Sequence, residues 1–225
     1  MSASALKIVA LLAMTVDHIG LVLISSPEWQ FGFRAFGRIA MPLFCFFIAQ
    51  GYHHTSSKIR YFLRLSGFAL LLECFLFIYF LLSGNNYLFS VNIFLTLSTG
   101  LGCLMLIKSK DPLLLTLGIV LALAVSYTNF DYGLYGIAII LLFGLSNSFP
   151  VYVVGLAAIN LVFLHILPTI SVGMDNFLSS QWFSMFALLG ILFYNGLPGK
   201  QNKTFFYLYY PLHLIVIVAI RDIFY

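Results

Sequence analysis

Apolar residues run along this chain in long stretches, separated by short intervals that carry the polar, charged, Gly and Pro residues. Read as helices between such breaks, the stretches fall at 5–24, 35–52, 61–83, 91–107, 112–128, 132–146, 149–166, 180–195 and 204–224. A crossing helix needs about 20 predominantly apolar residues, so the pattern predicts an all-α, polytopic integral membrane bundle of about nine transmembrane helices. No internal repeat or linker divides it, and the span 1–225 reads as a single domain with no room for a separate soluble one. The stretch 132–146 is short for a perpendicular span, and were it re-entrant the C-terminus would change sides.

Composition strengthens this picture. Of 225 residues, 62% are hydrophobic and 8% charged, against about 25% charged in an ordinary soluble domain; mean hydropathy is +1.04. The net charge of +4 does not point to nucleic acid, because the basic residues form no patch interleaved with aromatics. They report orientation instead. Lys7, Lys58, Arg60, Arg64, Lys108, Lys110, Lys200 and Lys203 fall on one face of a nine-helix path and only Arg34 and Arg221 on the other. The positive-inside rule then puts the N-terminus in the cytoplasm and the protein in the cell (inner) membrane. The first apolar run is followed by no A-x-A-like site, which argues against a removable signal peptide. Cys45, Cys74 and Cys103 lie singly in apolar runs and no histidine spacing matches a metal motif, so no metal site is expected.

Asp17 and His18 interrupt the first run near its middle. An acidic group at the centre of a spanning helix costs about 2.5–3.5 kcal/mol even on lenient scales, so it needs a cavity, a counter-charge or a reaction. Counting a rise of about 1.5 Å per residue puts His18 about 16 Å, Arg38 about 21 Å, Glu73 about 18 Å and His213 about 14 Å from the inner face. Four helices thus bring ionisable groups to the middle of a core about 30 Å thick. Asp17, His18, Arg38, Glu73 and His213 read as one buried site, with a purely structural set of ion pairs as the alternative. Adjacent helix residues do not face each other, so Asp17 is expected to pair with Arg38 on another helix rather than with His18. His18 then serves as proton acceptor, oriented by Glu73 or His213. Lys7 projects from nearly the same face as His18, three turns away. His53, His54, Lys58 and Arg60 form a basic cluster suited to phosphate, or else a solvated positive-inside loop.

Several strings resemble the TraX family. They are Lys7 to His18 with its Asp17-His18-Ile19-Gly20 ending; Phe33-Arg34-Ala35-Phe36-Gly37-Arg38-Ile39-Ala40-Met41-Pro42-Leu43-Phe44, continuing to Ala49-Gln50-Gly51-Tyr52 and His54-Thr55; Asn92 to Leu97; Asp131 to Gly136; and Tyr210-Pro211-Leu212-His213-Leu214. That family is named for a conjugal-transfer protein that N-acetylates pilin. It is similar in turn to the transmembrane acyltransferases, acyltransferase family three and heparan glucosaminide acetyltransferase among them. The resemblance implies a multi-pass O- or N-acetyltransferase that takes acetyl groups from cytoplasmic acetyl-CoA, uses no metal, and passes them to a pilin N-terminus, an envelope glycan or another acceptor. It puts the catalytic histidine at His18, and Lys7 at the position of an arginine in family-three enzymes, which keeps the charge but loses the bidentate fork. From the residues alone, a transporter or lipid-binding module using the midplane charges remains a second reading.

Overall fold

The computed structural model describes residues 1–83, 92–125, 131–166, 180–200 and 203–224. Among them the regular structure is helical and contains no strand. The helices are α1 (Ala3–Val22), α2 (Pro27–Gly37), α3 (Ala40–His54), α4 (Lys58–Ser83), α5 (Ile93–Ile107), α6 (Pro112–Val125), α7 (Gly133–Leu145), α8 (Phe149–Leu161), α9 (Ala187–Leu192) and α10 (Lys203–Phe224). A π-turn, Val162–Ile166, ends α8, and a 3-10 helix, Gln181–Phe186, leads into α9. The chain divides into two compact units, one of Met1–Phe44 with Asn160–Tyr225 and one of Cys45–Ile159.

In the first unit, α1 packs against α2 on one side and α10 on the other. Ser2 caps α1 by accepting from the Ala5 amide at 3.3 Å, and the Ala3 amide donates to Leu197 at 2.8 Å. Ser4 donates to the Lys200 carbonyl at 2.6 Å. These contacts tie the start of α1 to the segment that leads into α10. Small residues set the approach of α1 and α2: a Cβ on Gly20 would lie 2.5 Å from the Phe33 Cβ, and one on Gly37 would overlap the Asp17 side chain. Because residue 20 meets 33 and residue 17 meets 37, the two helices run antiparallel.

The expected helix 35–52 is instead two helices, and the first begins at Pro27, which occupies the opening turn of α2. They part at Arg38 and Ile39. Pro42 supplies the reason: in the first turn of α3 it has no N–H to donate, and its ring crowds the carbonyl four residues back, that of Arg38.

In the second unit α5 lies against α4, α6 and α7. Cys103, Ala122 and Ile137 form a buried cluster, flanked by Leu134 and Leu141. Phe46, Phe143 and Tyr152 meet edge to face, with Phe143 and Tyr152 centroids 4.8 Å apart. The Asn92 side chain caps α5 through the Phe94 amide at 3.0 Å, while its own amide groups bind Glu73 of α4 at 3.0 and 2.7 Å.

Many helices also turn apolar residues outward: Leu71, Leu113 and Val154 are 73%, 76% and 70% exposed. Three segments, Ala3–Val22, Pro27–His54 and Thr204–Phe224, are long and apolar enough to cross a membrane. Five further apolar helices among the described residues, α5 to α9 with their flanking turns, are shorter, 10–17 residues, while α4 runs for 26. At about 1.5 Å per residue α7 covers about 20 Å of a core about 30 Å thick, in keeping with the shortness of the run 132–146; of the nine expected crossings, three are supported by length and composition among the described residues.

Candidate functional site

Helix α1 presents two chemically different faces to its two neighbours. Consecutive residues are about 100° apart on a helix, so Asp17 and His18 are aimed at different partners. Asp17 is turned to α2, where Arg34 Nη1 donates to its Oδ2 at 2.8 Å. The expected partner, Arg38, stands farther off, with Nη2 3.9 Å from Oδ1, beyond hydrogen-bond reach. Arg34 and Arg38 lie four residues apart on one face of α2 and its final turn, so both guanidinium groups reach one carboxylate. Arg38 is among the most deeply buried side chains, 1% exposed, and its Nε donates to the Ser180 hydroxyl at 3.2 Å. The break between α2 and α3 carries Arg38, which is how a charged side chain comes to project from an otherwise apolar helical segment.

His18 is turned to α10. Its Nδ1 lies 2.8 Å from His213 Nε2, and the rings are tilted by 33° with centroids 5.0 Å apart. His213 Nδ1 lies 3.0 Å from the Tyr209 carbonyl oxygen. A carbonyl can only accept, so the proton of a neutral His213 sits on Nδ1 and its Nε2 is the acceptor. The bond to His18 therefore runs from His18 Nδ1–H to His213 Nε2. That tautomer leaves the lone pair of His18 on Nε2, the arrangement an imidazole base requires.

Tyr209 holds this pair from below. Its ring stacks on His213, interplanar angle 12° and centroids 5.5 Å apart. Its hydroxyl lies 2.8 Å from Thr15 Oγ1. Thr15 Oγ1 itself donates to the Leu11 carbonyl at 2.9 Å, so the Tyr209 hydroxyl is the donor between the two. The contacts 15 to 209 and 18 to 213 advance together along both helices, so α1 and α10 run parallel. Between them lies a groove of about 530 Å³, lined by Thr15, Tyr209 and His213 and otherwise by aliphatic and Phe side chains. Lys7 belongs to the same helix pair, its Nζ 5.5 Å over the Phe206 ring.

Asp17, His18, Arg38, His213 and Lys7 thus fall within the first unit. Glu73 belongs to the second unit, where its carboxylate accepts from Asn92 at the start of α5 and a negative charge suits the helix N-terminus. The basic residues expected to meet phosphate also lie in the second unit or at its edge. Lys58 and Lys108 place their ammonium groups 5.2 and 5.8 Å over the Tyr52 ring. His53 Nε2 donates to the Gly144 carbonyl at 3.2 Å, and His54 lies 3.2 Å from Gln50 Oε1. The Arg60 amide donates to Ser57 at 3.4 Å. Among the described residues no group of His, Cys, Asp and Glu could hold a metal ion.

Arg34, Ser180, Thr15 and Tyr209 are site residues that the sequence reading passes over. Arg34 had a visible signal, its spacing of four from Arg38. Thr15 and Tyr209 are one turn from His18 and His213 respectively, a relation that means something only once α1 and α10 are known to be neighbours.

A family model described as TraX protein matches residues 2–221. The chain is similar to a probable fimbrial assembly protein FimC, serogroup H1, of Dichelobacter nodosus, 28% identical over 245 residues that cover 98% of this chain and 96% of that protein. A local similarity, 52% identity over 48 residues, relates 21% of this chain to 18% of an uncharacterized protein of Rickettsia prowazekii. No solved structure matches. Since the family model spans all but the first residue and the last four, the chain belongs to the TraX family.

Proposed function

We propose that this protein is a multi-pass membrane acyltransferase that moves an acyl group from cytoplasmic acyl-CoA to an amine or hydroxyl acceptor. The observation that carries the reading is the Tyr209–His213–His18 hydrogen-bond chain, which leaves His18 Nε2 basic. As the acceptor attacks the thioester carbonyl, its proton passes to His18 Nε2. When the C–S bond breaks, the protonated imidazole returns that proton to the departing CoA thiolate, and His18 ends as it began. His213 receives the Nδ1–H bond throughout and steadies the imidazolium. Arg38 is buried, with its Nη2 3.9 Å from Asp17 Oδ1, and this placement of a guanidinium in the apolar interior supports a role for it in stabilising the oxyanion of the tetrahedral intermediate.

The donor is acetyl-CoA in the proteins this family resembles, with Lys7 at the mouth for its phosphates. His53, His54, Lys58 and Arg60, in the second unit, are further candidates for contact with phosphate. Family membership and the fimbrial assembly relative support an acceptor in the cell envelope, a pilin N-terminus or a glycan, with the inner membrane as the setting.

The test is CoA-thiol release by the purified protein from acetyl-CoA in the presence of pilin or an envelope extract. Loss of a general base lowers rate about 10²- to 10⁴-fold, so His18→Ala is expected to abolish release while CoA binding, followed by calorimetry, persists. Turnover by His18→Ala at the parental rate would remove His18 from the mechanism. Failure of the parental protein to bind CoA would instead favour the transport reading, for which the buried charges at the α2–α3 break are the supporting feature.

A further inference from the structure

The histidine pair is one of two polar links between α1 and α10, and the second uses side chains to which the chemistry above gives no part. One turn before His18 and His213 stand Thr15 and Tyr209. Side chains three or four residues apart share a helix face, so both links lie on one seam. The Thr15 hydroxyl gives its proton to the Leu11 carbonyl at 2.9 Å, the back-bond open to a threonine inside a helix. It therefore offers Tyr209 a lone pair, and the phenol proton is committed to it at 2.8 Å. That proton is not available to an imidazole.

The part left to the phenol ring is geometric. It lies nearly parallel to the His213 ring, 12° off with centroids 5.5 Å apart, and Thr15 holds its far end. His213 is 7% exposed, with Nδ1 3.0 Å from the Tyr209 carbonyl oxygen and Nε2 2.8 Å from His18 Nδ1. A half-turn about its Cβ–Cγ bond would put carbon where both nitrogens stand, and His18 Nδ1–H would face no acceptor. The stacked phenol ring opposes that turn. Of the four ring nitrogens of the pair, His18 Nε2 alone makes no hydrogen bond among the described residues. The tautomer of His18 is thus set by His213 and by what holds His213. We infer that Thr15 and Tyr209 are positioning residues, which through the His213 ring keep His18 in the Nδ1–H form with Nε2 bare. The inference rests on the acyltransferase reading for the use of that nitrogen. A bond that only joins two helices would change stability and leave the imidazoles as they are.

Imidazole nitrogen NMR separates the two without reference to turnover. The full chain carries ¹⁵N-histidine in lipid nanodiscs, with signals assigned by His18→Gln and His213→Gln. The parental protein is expected to show protonated Nδ1 and unprotonated Nε2 at both histidines. Tyr209→Leu, which removes the stack, is expected to leave His18 a mixture of tautomers. Thr15→Val and Tyr209→Phe each remove the link but keep the stack, and are expected to give a smaller shift; Thr15→Ser, which keeps the hydroxyl, is expected to recover most of it. In acetyl-CoA turnover, kcat is expected to fall about 10²-fold in Tyr209→Leu and about tenfold in Thr15→Val, with KM unchanged. Adding Tyr209→Leu to His213→Ala is expected to cost nothing further, since both act at one ring. Parental histidine spectra in Tyr209→Leu and Thr15→Val overturn the inference, even if both variants melt at lower temperature. Shifted tautomers with kcat unchanged overturn it as well. A parental protein without turnover, in which the tautomers shift as stated, overturns the acyltransferase reading and keeps the positioning of His18.

Discussion

In the proposed mechanism His18 is the base, and its lone pair is presented to the acceptor only because a second histidine takes its other proton. With His213 replaced by Ala, His18 Nδ1–H loses its acceptor and the two tautomers of His18 compete. A fall of about 10²-fold in kcat with little change in KM is expected for His213→Ala, and partial recovery for His213→Gln, whose carbonyl can accept the same proton. Equal kcat in the parental and Ala proteins would show that His18 needs no such support. The ion pair on the opposite face of α1 makes a different demand. Asp17→Asn leaves the guanidinium groups of Arg34 and Arg38 close together without their carboxylate, and breaking a buried pair in this way costs about 3–5 kcal/mol. A lowered melting temperature in detergent is expected, partly restored when Arg34→Leu is added, since one unpaired charge is then removed. An Asp17→Asn protein as stable as the parent would exclude Asp17 as the compensating charge. The individual residues Asp17, His18, Arg38 and His213 stand out in the sequence because each is costly in an apolar run. Their partners do not: Asp17 takes Arg34 rather than Arg38 because Gly37 brings α2 against it, a matter of helix approach that spacing alone does not encode.

At the scale of elements, the site depends on two interruptions and two small residues. Gly20 and Gly37 let α1 and α2 touch closely enough for the carboxylate to reach its guanidinium groups. Gly37→Ala would push a methyl into Asp17, a strain of about 1–3 kcal/mol that falls on the ion pair itself. The expected outcome is a protein that is less stable in a thermal-shift assay and less active than Gly32→Ala, where a Cβ meets nothing within 4 Å. Equal behaviour of the two variants would show that α1 and α2 do not approach as closely as their glycines indicate. The positions of most helices were readable from the apolar runs, since burial and lipid exposure both favour the same residues. The breaks were less so. Pro42 splits a run that is apolar throughout, and the π-turn at Val162–Ile166 and the 3-10 helix at Gln181–Phe186 leave the apolar pattern intact while shortening the α-helices beside them. Glu73 shows the same limit: its depth in α4 matched that of His18, but depth says nothing of direction, and the carboxylate is turned to the N-terminus of α5.

At the scale of the whole chain, the directions of α1, α2 and α10 bear on the topology. Helix α2, continued by α3, runs antiparallel to α1, and α10 runs parallel to it. Where α1 and α10 both cross the membrane, their parallel course puts the start of α1 and the end of α10 on opposite faces. With the basic residues weighted toward the α1 start, that end is expected in the cytoplasm. In a background with Cys45, Cys74 and Cys103 replaced by Ser, Ser4→Cys is expected to react with an impermeant maleimide only in inverted vesicles, and Asp222→Cys only in intact spheroplasts. Labelling of both positions from one side would break the parallel pairing of α1 and α10 on which the histidine pair rests. Reversed labelling would keep the pairing but place Lys7 outside, where cytoplasmic acyl-CoA cannot reach it.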